Sequence, residues 1–256
     1  MNIGAVADIH GNFDALTQAM ERHPDVPLWI CVGDLASRTG AYPAPPRPLF
    51  WIKGNNEDFE RIAAWEAGEA QPPNLHYIRN GTATDVGSLR VAGLGGTFAP
   101  KWFEAHAADL AHGRRTLSTG TPQRRSYSAL GKRDDKRRHF VRDEAEACKQ
   151  LAPIDILMTH EAARPFIVVD DPLDSLDEAL ARGKPAPGRK PRRFDAGKPV
   201  INELLATLKP RLHLCGHHHR FSETMREGVP SVCIDRVNRS YLLIDAETLD
   251  YRRLDQ

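Results

Sequence analysis

Met1-Asn-Ile-Gly-Ala-Val-Ala-Asp8-Ile-His10-Gly11-Asn12 is the stretch that decides the fold. Residues 2–7 form an apolar run of strand length, and the polar-Gly-Asn cluster after it signals a sharp loop. Phe13–Met20 has helical spacing, so the loop is a strand-to-helix turn, a usual place for a ligand in an open α/β sheet. Asp8 and His10 stand at the carboxyl end of the strand. On extended backbone, residues two apart point the same way. A carboxylate and an imidazole would then face one point, which is half of a metal site.

The same design recurs along the chain. Pro27–Val32 ends in Gly33-Asp34, and Leu49–Lys53 ends in Gly54-Asn55-Asn56-Glu57. Ile154–Met158 ends in Thr159-His160-Glu161, and Leu212–Cys215 ends in Gly216-His217-His218-His219. Between these runs, residues 58–67, 143–151 and 199–208 read as helices, and 75–78 as a short strand. Asn80-Gly81 is a hairpin-type dipeptide, and Gly87-Ser88 joins a second hairpin of 82–86 with 89–93. Residues 232–234 and 240–254 read as a terminal hairpin or meander. Gly93-Leu-Gly95-Gly96 lacks the lysine and spacing of a phosphate loop.

A chain of 256 residues, 41% of them hydrophobic, has enough apolar content for one α/β domain over 1–256. No basic segment precedes the first apolar run, and no stretch nears the ~18 apolar residues of a membrane span. Cys31, Cys148, Cys215 and Cys233 show no paired spacing and read as reduced core residues of a cytoplasmic protein. The net charge of +1 hides an asymmetry. Residues 111–138 hold nine Lys/Arg against two Asp, and residues 182–198 hold seven against one. The rest of the chain is acidic. Basic insertions at about 104–140 and 182–198, the second rich in Pro and Gly and hence read as loop, on an acidic body suggest a polyanion partner. Arg114, Arg115, Arg124, Arg125, Arg189, Arg192 and Arg193 are the candidate substrate contacts, with Arg137, Arg138 and Lys190 beside them. The oligomeric state is not legible.

The strand ends collect Asp8, His10, Asp34, Asn55, His160, His217 and His219. Oxygen and imidazole ligands without a thiolate suit Mn, Fe, Zn or similar ions. Seven ligands exceed one tetrahedral ion and fit two ions ~3.5–4 Å apart that share a carboxylate. His218 lies between two ligands and should point to the other side.

Asp8-x-His10, Gly33-Asp34, Gly54-Asn55-x-Glu57, His160 and Gly216-His217-x-His219 resemble, in order, the five motifs of the calcineurin-like metallophosphoesterases. The resemblance spans most of the chain. It implies a four-layer αββα sandwich of two mixed sheets. It implies two divalent metal ions, Mn first and then Fe, Zn, Ni or Mg. Asp8, His10, Asp34 and His219 would hold one ion, and Asp34, Asn55, His160 and His217 the other. The implied reaction is phosphate ester hydrolysis by a metal-bound hydroxide. Pro73-Asn74-Leu-His-Tyr77, Leu89-Arg-Val-Ala-Gly-Leu-Gly-Gly, Pro153-Ile-Asp-Ile-Leu-Met-Thr-His160-Glu and Leu204-Leu-x-x-Leu-Lys-Pro210 further resemble RNA lariat debranching enzymes, which cleave branched RNA.

One position departs from that pattern. The family's third motif usually has a histidine where this chain has Asn56, and that histidine is thought to protonate the leaving oxygen. Asparagine donates a hydrogen bond but delivers no proton at neutral pH. His218, His76 and Glu161 are the substitutes the sequence offers, without a choice among them. Asp34, Asn56, Glu57 and His218 are therefore the candidate catalytic residues. The expected function is a dinuclear phosphodiesterase acting on nucleotides or nucleic acid, RNA or single-stranded DNA. The alternatives are a small-molecule phosphomonoesterase and a metal-binding interaction scaffold.

Overall fold

The computed structural model describes residues 1–112, 135–170 and 192–256. The chain begins β1 (Asn2–Val6), α1 (Phe13–Arg22), β2 (Leu28–Cys31), β3 (Leu49–Trp51), α2 (Phe59–Glu66), β4 (Leu75–Tyr77), β5 (Thr82–Val86) and β6 (Leu89–Leu94). Next come α3 (Pro100–Phe103), α4 (Ala107–His112), a 3-10 turn at Lys136–Arg138, α5 (Arg142–Lys149), β7 (Ile156–Thr159), β8 (Ile167–Asp170) and β9 (Arg192–Asp195). It closes with α6 (Pro199–Leu208), β10 (Leu212–Cys215), β11 (Ser222–Arg226), β12 (Val229–Cys233), β13 (Ser240–Asp245) and β14 (Tyr251–Asp255).

Two six-stranded sheets result, ordered β14-β13-β1-β2-β3-β4 and β11-β12-β10-β7-β6-β5. Each is mixed, with four parallel strands; antiparallel pairing adds β13 and β14 at one edge of the first sheet and β11 and β5 at the two edges of the second. The central strands are buried on both faces, so their two-residue alternation sorts apolar residues between two cores. Ile3, Ala5, Ile30 and Val32 face the other sheet, meeting Val91, Ile156, Met158, Leu214 and Val232. Val6, Trp29, Cys31 and Trp51 face outward under Leu16, Met20, Ile62 and Trp65 of α1 and α2. On the far side Ala92, Leu94 and Leu157 lie under Ala145, Cys148, Ile201, Leu204 and Leu205 of α5 and α6. This is the αββα sandwich the motifs implied.

The register places the site. Val6 is level with Cys31 and Cys31 with Trp51, while Met158 is level with Leu214. Parallel strands in step release their following loops at one edge. Residues 7–10, 32–34, 52–57, 160–161 and 216–219 all leave there.

Three expectations are corrected. Asn80-Gly81 joins no hairpin, because β4 and β5 belong to different sheets. The buried Asn80 side chain instead binds the backbone N–H and C=O of Gly95, at 2.6 and 3.1 Å, as the chain crosses over. The 182–198 segment is not all loop, since β9 pairs antiparallel with β8 as a separate two-stranded ribbon. Its Pro, Gly and Arg content masks a strand, whose partner is the β-branched run Ile167-Val168-Val169. Finally, the terminal strands are no single meander. β11–β12 is a hairpin of the second sheet and β13–β14 a hairpin of the first.

Candidate metal centre

Asp8, His10, Asp34 and His219 offer ligand atoms that all lie within 4.8 Å of one another, and so do Asp34, His160 and His217. Asp34 belongs to both groups. Its Oδ2 is 3.6 Å from His10 Nε2, and its Oδ1 is 3.5 Å from His160 Nε2. Asp8 Oδ1 lies 3.8 Å from His10 Nε2 and 3.5 Å from His219 Nε2. Asn55 Oδ1 adds an oxygen 3.2 Å from His160 Nε2. The carboxylates, Asn55 and His160 are buried, whereas His10 and His219 keep about 30% of their side chains exposed. The centre therefore opens on the His10–His219 side.

The side chains converge by a route other than extended backbone. β1 ends at Val6, and Asp8 and His10 both have φ of 49°. Asp34, His217 and His219 follow suit at 55°, 69° and 51°. Nine non-glycine residues among those described have positive φ, and these five are the majority. Each such conformation costs roughly 1–3 kcal/mol and persists only when its surroundings over-determine it. Here backbone bonds supply the constraint: Asp8 N–H donates to Gly33 O at 3.1 Å and His10 N–H to Asp34 O at 2.8 Å. His217 N–H donates to Asp8 Oδ2 at 2.8 Å, tying the two sheets' loops together.

Glu57, expected among the catalytic residues, has its carboxylate engaged in bonds that position the loops. Its buried carboxylate accepts N–H bonds from Leu35, Ala36 and Gly54 and the O–H of Tyr42, at 3.0–3.1 Å. It thereby clamps the Asp34 loop to the Asn55 loop. Asn56 completes the clamp: its N–H donates to Asp34 Oδ1 at 2.8 Å and its Nδ2 to Oδ2 at 2.6 Å.

The residues fit a pair of cations. Asp8 Oδ1 is buried without a hydrogen-bond partner, and an orphaned carboxylate oxygen is costly unless a cation or donor meets it. His10 Nε2 and His219 Nε2 stand 3.0 Å apart, aimed at the same space. Burial would raise the Asp34 carboxyl, but the charge and hydrogen bond of His160, with His10 and Asn56, hold it well below the usual range. Burial would lower His160, but Asp34 outweighs this and pushes it up to about 10. Burial pushes His217 down to about 3 and lowers His10, so both are neutral. Cations require deprotonated imidazole. Loading the centre at about pH 8 should thus release about one proton, from His160, and apparent affinity should climb roughly tenfold per pH unit below His160's raised pKa. Calorimetry in buffers of different ionisation enthalpy counts that proton. A count of zero would remove His160 from the ligand set.

The remaining expected residues divide clearly. His218 turns away and stacks on Phe166, centroids 4.4 Å apart and planes 25° apart. Burial pushes its imidazole down to about 3. His76 stacks on Phe50 within the first sheet, away from the loop edge. Glu161 accepts the Phe98 N–H at 3.0 Å and sits 3.6 Å from Lys198 Nζ. Arg137 is spent on Asp135 and Glu60, both at 2.7 Å. Arg193 lies exposed on β9, beside Arg192. Arg114, Arg115, Arg124, Arg125, Arg189 and Lys190 lie outside the described residues. Sequence reasoning missed Arg236, whose Nη2 is 2.7 Å from His219 Nδ1. Its signal was available: Val229–Ile234 is one more apolar run ending in a polar pair, Asp235-Arg236.

A model of the calcineurin-like phosphoesterase family matches residues 1–221. The lariat debranching enzyme of Schizosaccharomyces pombe (strain 972) is 28% identical over 215 residues, which are 82% of this chain and 42% of that protein. The chain thus spans under half the length of that relative. The protein TT1561 of Thermus thermophilus superimposes with a TM-score of 0.56 at 16% identity, covering 99% of this chain and 98% of that one. A second solved chain reaches 0.61 at 12% identity with the same coverage. These two likenesses are of fold.

Proposed function

The chain belongs to the calcineurin-like phosphoesterase family, metal-dependent phosphoric ester hydrolases, and we propose that within it this protein is a phosphodiesterase acting on nucleotides or nucleic acid. The observation that carries the reading is Asp34, buried where the two ligand groups meet. Asp8, His10, Asp34 and His219 would hold one divalent ion, and Asp34, Asn55, His160 and His217 a second, a mixed imidazole and oxygen set without thiolate that suits manganese, iron or zinc. Bound there, such ions supply Lewis acidity and an activated water for in-line attack on phosphorus. The protein's own part is positional. Asn56 fixes both oxygens of Asp34, Glu57 locks the two loops, and His10 and His219 leave the open side to the ester.

RNA or single-stranded DNA is the favoured substrate because of the debranching-enzyme relative and the two basic segments. The four free, buried cysteines suit a reducing cytoplasm, and no described helix is long and apolar enough to cross a membrane. Metal-reconstituted protein should be screened against bis-p-nitrophenyl phosphate, p-nitrophenyl phosphate, cyclic nucleotides, branched RNA and single-stranded DNA. Diesters should be hydrolysed in preference. Turnover of the monoester alone would make the protein a phosphomonoesterase. Two bound ions with no turnover at all would make it a scaffold.

Asn56 sets a further expectation. Lacking an acid there, rates should fall steeply as the leaving group's pKa rises. Asn56→His should raise turnover of alkyl esters by roughly 10²-fold or more, the usual worth of a placed general acid. Because Asn56 also braces Asp34, metal stoichiometry must be measured alongside. A histidine variant that keeps both ions yet gains nothing would mean that another residue already delivers the proton or that the site uses none.

A further inference from the structure

One candidate ligand of the metal centre is held from behind by an arginine. Arg236 follows β12, and its Nη2 stands 2.7 Å from His219 Nδ1. Arginine has donors and no acceptor. His219 Nδ1 must therefore accept, and the neutral ring carries its hydrogen on Nε2. That hydrogen has His10 Nε2 at 3.0 Å to receive it, with Asp8 Oδ1 at 3.5 Å. Donors and acceptors thus match in a row from Arg236 through His219 to His10.

A cation breaks this row. A metal-ligating imidazole presents a lone pair to the ion and donates its other N–H to a carboxylate, a carbonyl or water. In His219 the nitrogen that faces Asp8 and His10 is Nε2. With Nε2 as the ligand atom, the ring's hydrogen passes to Nδ1 without a change of charge. It then meets the guanidinium donor to donor, and a contact of 2.7 Å cannot hold two donors. Arg236 must swing away from the ring. Its backbone is fixed, because Arg236 is bridged to Ala7 and its N–H donates to Asp235 Oδ1 at 2.7 Å. Only the side chain is left to move. It is half-buried beside His219, on the side of the centre that His10 and His219 leave open. The neighbouring arginines are committed to main-chain oxygens, Arg220 to that of Ile167 and Arg239 to that of His219, both at 3.4 Å. The group entering the open side is a phosphate ester, whose oxygens a guanidinium fork fits.

We propose that Arg236 is a phosphate-binding residue released by the metal: an ion on His219 Nε2 frees the guanidinium from Nδ1, and the guanidinium then binds a non-bridging oxygen of the ester. This rests on the reading of His219 as a metal ligand of the phosphoesterase centre. It holds for monoesters and diesters alike, because it concerns the phosphate and not the alcohol.

The test pairs two binding measurements on the full chain, Mn²⁺ on chelator-treated protein and inorganic phosphate on Mn²⁺-saturated protein. Arg236→Met keeps the bulk and removes the donors. It should bind its weaker Mn²⁺ roughly 2- to 10-fold more tightly, since the ion no longer displaces a hydrogen bond. It should bind phosphate roughly 10- to 100-fold more weakly, the usual loss for one hydrogen bond to a charged group, and kcat/KM on bis-p-nitrophenyl phosphate should fall with it. Arg236→Lys, a point charge without the fork, should bind phosphate at a strength between the two. Opposite signs for metal and phosphate are the mark of release, because a merely structural loss weakens both. ¹⁵N NMR of the parent needs no variant. It should place the His219 hydrogen on Nε2 without metal and on Nδ1 with Zn²⁺. A hydrogen on Nδ1 in the chelator-treated parent would overturn the proposal. So would Arg236→Met weakening metal and phosphate together, which would make Arg236 a brace for His219, or leaving phosphate affinity unchanged, which would mean that the guanidinium does not reach the ester. In each of those cases the metal-dependent hydrolase reading stands. A parent that binds neither Mn²⁺ nor Zn²⁺ would remove the centre itself and the proposal with it.

Discussion

Asp34→Asn should empty both halves of the metal centre and lower hydrolysis by at least ~10³-fold, a little over 4 kcal/mol of transition-state stabilisation. Asp34 is the residue common to both ligand groups, 1% exposed, with one oxygen directed to His10 and the other to His160. The substitution keeps the shape and removes the charge. Losing that charge also lowers His160, but a neutral imidazole alone does not replace the shared anion. Asn56 donates to both Asp34 oxygens. An amide nitrogen placed at either position would face a donor with another donor, adding an unsatisfied contact. Elemental analysis should find less than one ion per chain, and turnover of bis-p-nitrophenyl phosphate should approach background. A variant with two ions and activity within tenfold of the parent would refute the shared role of Asp34.

Gly54→Ala should be nearly as damaging without replacing any ligand. A Cβ at Gly54 would lie 2.1 Å from Asp34 Oδ1 and 2.3 Å from Asp34 N. The second atom is backbone, so neither a rotamer change nor a small side-chain shift relieves the clash. Either the Asn55 loop or the Asp34 loop must move, and Glu57 ties the two together. Overpacking of this kind costs about 2–3 kcal/mol, roughly 5–10 °C in Tm for a chain of this size. Misplacing a reacting group by about 1 Å costs ~10²-fold in rate. Gly68→Ala is the control, because Gly68 has φ of +102° with nothing within 4 Å of the added Cβ. It should report backbone strain alone, with full metal content. If Gly54→Ala melts with Gly68→Ala and binds both ions, the close approach of the loops is not what fixes Asp34.

Apolar runs of strand length, each closed by a polar group, marked buried strands of an α/β fold, because a parallel strand buried on both faces must be continuously apolar, and the order of their closing motifs carried the resemblance that implied the sandwich. For the same reason the strand ends named Asp8, His10, Asp34, Asn55, His160, His217 and His219 as a set: loops leaving one edge of aligned parallel strands must meet there. Other features rested on groups far apart in sequence. The β8–β9 ribbon draws its second strand from a basic, proline-rich segment, where composition outweighs a pairing that only the partner strand makes favourable. The left-handed turns at Asp8, His10, Asp34, His217 and His219 are held by bonds between loops of both sheets, and local propensity argues against them. Glu57 and His218 looked catalytic in their motifs. Their roles were decided by what surrounds them, three backbone N–H groups and Tyr42 in one case and the Phe166 ring in the other. Ligand identity belongs to the chain because it depends on residue type and strand position. The direction of a side chain and the protons it carries belong to the tertiary structure, because both are set by neighbours that folding alone brings within a few ångströms.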